Sequence, residues 1–198
     1  MVTYEKRTGI NPIRLVGAWT EGYSLDHHIL SSTYMREDVY GHPLFDTTRT
    51  KLGEMLFQFK YRYKHDQLDS IMEEIIPFLD EWEALKNVDV VISVPPSKTR
   101  LYQPAEELGK AVALYIGKHY YNDVLVKSSN IQSKDLSGDK ASMTGVFHLA
   151  KLAKRTYNVL IVDDLYSTGK SLNECVHALR TDKMVKDIYV LTITKTNR

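Results

Sequence analysis

From residue 88 onward the chain alternates apolar runs with stretches in which apolar positions recur every three or four residues. The first run, "VDVVISV" (88 to 94), is rich in β-branched residues and nearly unbroken, the pattern of a strand buried on both faces of a parallel sheet. "PAEELGKAVALYIGKHY" follows, opened by Pro104, with Leu108, Ala111, Val112, Tyr115 and Ile116 at helical spacing, and predicts an amphipathic helix. "DVLVK" (123 to 127) reads as a second short strand, "NVLIVDD" (158 to 164) as a third and "DIYVLTITK" (187 to 195) as a fourth. Between the last two, Leu172, Cys175, Val176 and Leu179 mark one helical stripe. This alternation predicts an α/β, Rossmann-like fold. Its sheet is mostly parallel and flanked by helices, its crossovers are right-handed, and its ligands bind outside the carboxyl ends of the strands.

Upstream, Leu52, Met55, Leu56 and Phe59, then Leu68, Ile71, Met72, Ile75 and Ile76, form two stripes expected to cover one sheet face. "FKYRYKHD" (59 to 66), which interleaves basic and aromatic residues, reads as a solvated helix end rather than a nucleic-acid surface. Residues 1–48 are turn-rich and aromatic and read as a hairpin or an irregular cap, a small hood. The polar stretch 128–145 lacks periodicity and places a flexible lid loop at 128–147. A length of 198 residues with 43% hydrophobic residues suits one domain, 1–198.

Charge and cysteine content narrow the function classes. Twenty-six Lys and Arg against 25 Asp and Glu leave a net charge of +1, so no global field draws the chain to nucleic acid or membrane. The single cysteine, Cys175, excludes a disulfide framework and a multi-cysteine zinc site, and it fits a reduced cytoplasmic setting. No run of about 18 apolar residues occurs, and no membrane partner is expected.

The stretch "VLIVDDLYSTGKSL" (159 to 172) carries the chemistry. Its Gly169-Lys170-Ser171 resembles the end of a nucleoside-triphosphate loop. Such a loop needs a glycine where Asp164 stands, and two carboxylates at its mouth would repel a polyphosphate. Ionised carboxylates accept hydrogen bonds, which suits the vicinal hydroxyls of a sugar. The small residues and helix N-terminus that follow suit a phosphate monoester. A diol on one side and a phosphate on the other describe ribose 5-phosphate.

The same residues resemble the phosphoribosyl-pyrophosphate (PRPP) motif of type I phosphoribosyltransferases. A hydrophobic strand, two acidic residues, two variable residues and Ser/Thr-Thr-Gly-x-Ser/Thr stand in that order. A second resemblance, to ComF-like phosphoribosyltransferases, lies in "DVVISVPPSKTRLYQPAEELGKAVA", where Arg100, Tyr102, Ala105, Glu106 and Leu108 match and Leu101, Gln103 and Pro104 depart. Gln132, Asp135, Leu136, Lys140, Gly145 and Phe147 extend it, as does "GEMLFQFKYRYKHDQLDSIMEEIIPFL"; the four-cysteine zinc ribbon of many ComF-like proteins has no counterpart here.

The resemblance implies a magnesium-dependent transfer of ribose 5-phosphate from PRPP to a nitrogen acceptor, with Mg2+ carried by PRPP and not by protein ligands. Asp163 and Asp164 would act at the ribose and its anomeric carbon, and Ser167, Thr168, Gly169, Lys170 and Ser171 would hold the 5-phosphate. Ser97, Lys98, Thr99 and Arg100 would face pyrophosphate, and Lys127 and Lys140 would flank the lid. A homodimer is common in the family. His27 and His28 lack partners at metal-ligand spacing, and Trp19 and Tyr23 read as core aromatics before base-stacking ones. The alternative is a non-catalytic PRPP- or nucleotide-sensing protein of ComF type, tied to DNA uptake or repair and binding nucleic acid or a protein partner.

Overall fold

The computed structural model describes residues 9–62, 64–96, 102–127 and 146–197. Strands β1 (Ile13–Arg14), β2 (Glu21–Ser24), β3 (Ile29–Glu37) and β4 (Pro43–Arg49) precede helices α1 (Lys51–Tyr61) and α2 (Gln67–Glu81). Then come β5 (Val90–Ser93), α3 (Pro104–Tyr115), β6 (His119–Tyr121), β7 (Leu125–Lys127), β8 (Phe147–Leu149), β9 (Tyr157–Tyr166), α4 (Lys170–Leu179) and β10 (Val185–Lys195). The main sheet runs β1-β2-β10-β9-β5-β6, parallel except at the β1–β2 edge. The fold is therefore α/β with a mostly parallel central sheet, as the pattern predicts.

The two faces of β9 build two cores. Leu160 and Val162 face α1, α2 and α3, whose Leu52, Leu56, Phe59, Ile71, Ile75, Leu108 and Val112 are buried there. Val159 and Ile161 face the opposite layer, where Leu172, Cys175, Val176 and Leu179 of α4 close over them. Both expected stripe sets are thus core stripes. Burial pushes the Cys175 thiol up, so it stays protonated and acts as an apolar filler.

Two sequence expectations change. The edge strand after α3 is β6, parallel to β5, whereas residues 125–127 pair antiparallel with 147–149 in a separate ribbon. The reason lies at the end of α3: the amide of Lys118 returns to the carbonyl of Ala113, closing the helix early and freeing His119-Tyr120-Tyr121 to extend. Tyr120 then anchors the new strand through a 2.7 Å hydrogen bond with Ser93. In the hood segment, β1 and β2 join the main sheet, and the hairpin is β3–β4, mostly exposed, with Tyr34 edge-on to Phe45 at 5.9 Å.

The first turn of α1 is docked tightly on the chain that follows β2. Thr50 caps it, its hydroxyl accepting from the Gly53 amide at 2.9 Å and donating to the His27 carbonyl at 2.6 Å. A Cβ on Gly53 would stand 2.1 Å from the His28 carbonyl oxygen, so only glycine allows this approach.

Candidate ligand pocket at the carboxyl ends of β5 and β9

Strands β5 and β9 are neighbours, yet the helix that follows β5 packs on one sheet face and the helix that follows β9 on the other. Their connecting loops part and leave a crevice, the switch point at which open α/β sheets bind ligands. The last β5–β9 pair is Ser93–Val162, while β9 continues beside β10 to Tyr166. Asp163 and Asp164 therefore project past the end of β5.

A cavity of about 220 Å³ occupies the crevice, lined by Lys60, Pro95, Pro96, Gln103, Glu106, Asp163, Asp164 and Ser171 among others. A smaller recess of about 80 Å³ adjoins it, lined by Ser167, Thr168, Gly169, Lys170 and Ser171, and shares Asp163 and Ser171 with the first. The residues expected to hold a sugar diol and a phosphate thus line two neighbouring cavities. Gly169 caps α4 at φ 73°, and a Cβ there would lie 2.7 Å from the Tyr166 hydroxyl. Gly169→Ala is expected to cost about 1–2 kcal/mol through left-handed strain and to weaken phosphate binding, both checked by thermal denaturation and titration.

The carboxylates differ electrostatically. Asp163 accepts the Asp164 amide at 2.9 Å, but loss of solvent, and then the adjacent Asp164 charge, push its pKa up to about 8. Asp164 is neutralised by Lys60, whose Nζ stands 2.7 Å from its Oδ2, with the two side chains only 18% and 13% exposed. Sequence reading missed Lys60, which lies in the segment taken as a solvated helix end. The one signal was its place in "GEMLFQFKYRYKHDQLDSIMEEIIPFL", part of the ComF resemblance.

Other expected residues fall elsewhere. Trp19 is 7% exposed and donates to the Leu15 carbonyl, and Tyr23 packs edge-on against Phe78 and Trp82. The His28 ring meets Thr194 at 3.0 Å, with Arg49 and Lys60 close enough, after desolvation, to lower its pKa. Lys127 ends β7 opposite Phe147 and does not line the cavity. Ser97, Lys98, Thr99, Arg100 and Lys140 lie outside the described residues, although both stems of the 97–101 loop, Pro95-Pro96 and Gln103-Pro104, do line it.

No family model matches the chain, and no curated protein does. Among solved structures, an adenine phosphoribosyltransferase from Thermoanaerobacter pseudethanolicus is similar at 13% identity and a TM-score of 0.45, over 83% of this chain and 94% of that one. The Saccharomyces cerevisiae adenine phosphoribosyltransferase, complexed with an imino-altritol bisphosphate and adenine, gives 14% and 0.40 over 83% and 85%. An orotate phosphoribosyltransferase from Aeropyrum pernix gives 14% and 0.39 over 82% and 74%. Among the described residues no helix is long and apolar enough to cross a membrane.

Proposed function

We propose that this protein transfers ribose 5-phosphate from PRPP to a nitrogen nucleophile, releasing pyrophosphate. The observation that carries the reading is the adjacency of the Asp163–Asp164 crevice and the 167–171 recess, which share Asp163 and Ser171, one suited to a diol and the other to a phosphate monoester. Asp163 and Asp164 accept from the ribose hydroxyls, and Asp164, joined by Asp163 where it is deprotonated, places negative charge near the anomeric carbon as its bond to pyrophosphate lengthens. The backbone amides that open α4, with Ser167, Thr168 and Ser171, hold the 5-phosphate. The C–O bond breaks with its electron pair leaving on pyrophosphate, and the acceptor nitrogen forms the new C–N bond. Ser97, Lys98, Thr99 and Arg100 are assigned to the leaving group.

Magnesium is proposed to arrive on the ligand's phosphates, as is common for that ion, with Asp163 and Asp164 assigned to the ribose rather than to the metal. The ion would supply charge neutralisation of the departing pyrophosphate. A ComF-like affiliation is supported by Glu106, which lines the crevice, and by Tyr102, which packs edge-on to Phe59 at 4.9 Å. A cytoplasmic homodimer is part of the proposal.

Calorimetric titration with PRPP and magnesium, beside ATP and ribose 5-phosphate, tests it. PRPP should bind in clear preference to ATP, and a screen of nitrogen acceptors should then release pyrophosphate. Equal affinity for ATP would make the diol assignment wrong. PRPP bound but never turned over with any acceptor would leave the sensing role as the better reading.

A further inference from the structure

Lys60 holds one oxygen, Oδ2, of the carboxylate that the ribose diol is proposed to use. The ammonium reaches Asp164 from α1, in the layer opposite α4, and lines the same cavity as Pro95, Pro96 and Gln103, the stems of the loop assigned to pyrophosphate. A ligand that takes Oδ2 of Asp164 displaces the ammonium from an ion pair whose members are only 18% and 13% exposed, which is costly unless the displaced charge finds another partner. Ribose hydroxyls are neutral and cannot serve as that partner, whereas a diphosphate on the anomeric carbon can.

Resting on the phosphoribosyl reading, we propose that Lys60 is a specificity-determining residue that exchanges partners on binding, leaving Asp164 for the diphosphate of PRPP. Sugars that carry a diphosphate at C1 are compensated for breaking the pair. Ribose 5-phosphate, which offers the same diol and 5-phosphate, is not. Discrimination between the two is then built into one side chain of α1, outside the PRPP motif.

The test is calorimetry of wild type, Lys60→Met and Lys60→Arg with PRPP and magnesium, ribose 5-phosphate, and pyrophosphate with magnesium. In Lys60→Met, PRPP affinity should fall about tenfold to a hundredfold, the loss of one charge-assisted contact, while ribose 5-phosphate affinity holds or rises because Asp164 is unmasked. Lys60→Arg should restore most of the PRPP affinity. Lys60→Gln, which keeps a hydrogen bond to Asp164 without the charge, replaces Lys60→Met where that variant does not fold. Equal losses for PRPP and ribose 5-phosphate would mean that Lys60 only holds Asp164 in place, and would overturn the exchange. So would unchanged PRPP binding. Failure of the wild type to bind PRPP at all is a separate result, and it brings down the phosphoribosyl reading on which the exchange rests.

Discussion

Replacing Asp163 and Asp164 together by asparagine is expected to weaken PRPP binding by more than about a hundredfold in a protein that stays folded. Asp164, paired with Lys60, is the charged acceptor, and Asp163, whose pKa is raised to about 8, becomes one as pH rises through that value; an amide in either place offers a weaker acceptor and an unwanted donor. The fold survives because the stability effects oppose each other. Asp163 has a pKa raised to about 8, against an ordinary 3.8, so the folded chain binds a proton that the unfolded chain releases. Stability therefore falls as pH rises between those two values, and Asp163→Asn removes that loss. At pH 9 the single variant should be more stable than wild type by on the order of 1–3 kcal/mol, and the two should coincide near pH 4. Asp164→Asn acts in the other direction: it leaves the ammonium of Lys60 with no opposite charge, at a cost between that of an exposed pair and a fully buried one, about 1–3 kcal/mol. Calorimetry with PRPP and thermal denaturation at the two pH values check both halves. A double variant that binds as the wild type does would remove the diol from this site.

Gly53→Ala is expected to destabilise the protein by about 3 kcal/mol, near the upper end for overpacking, which corresponds to roughly 6–12 °C in Tm for a chain of this size. The added Cβ would lie 2.1 Å from the His28 carbonyl oxygen and 2.9 Å from its carbon, both backbone atoms that cannot swing aside. It would also stand 3.0 Å from the Thr50 hydroxyl that caps the helix. Relief requires α1 to move off the chain behind β2, and α1 carries Leu52, Leu56 and Phe59, each at most 1% exposed, into the core. Thermal denaturation measures the loss. A Tm within a degree of wild type would show that the contact yields without cost.

These effects trace to contacts of different legibility. The β-branched run ending in Asp163 and Asp164 announces a buried strand and its chemistry together, because a parallel strand has no alternation to obscure its end. Pro104 and the stripe from Leu172 to Leu179 likewise place α3 and α4 by local rules alone. The register of His119-Tyr120-Tyr121 escapes such rules, since helix and strand both accept these aromatics and the Tyr120–Ser93 hydrogen bond decides the matter. Lys60 escapes them more completely. Its partner lies over a hundred residues later, and in sequence it is one more lysine in a basic stretch. Gly53 reads as a weak point in a helix until the carbonyl of His28 is seen against it.

The parting of the two loops at the crevice gives the molecule a division of labour between layers. On the proposed reading, the side assigned to the sugar phosphate is anchored through α4, and the side that carries Lys60 and the stems of the loop assigned to the leaving group is anchored through α1 and α3. Damage to either layer therefore shows first as misalignment of one half against the other. Turnover, which needs both halves in register to within a fraction of an ångström, is the more sensitive gauge of the hidden core than the grip of either half alone.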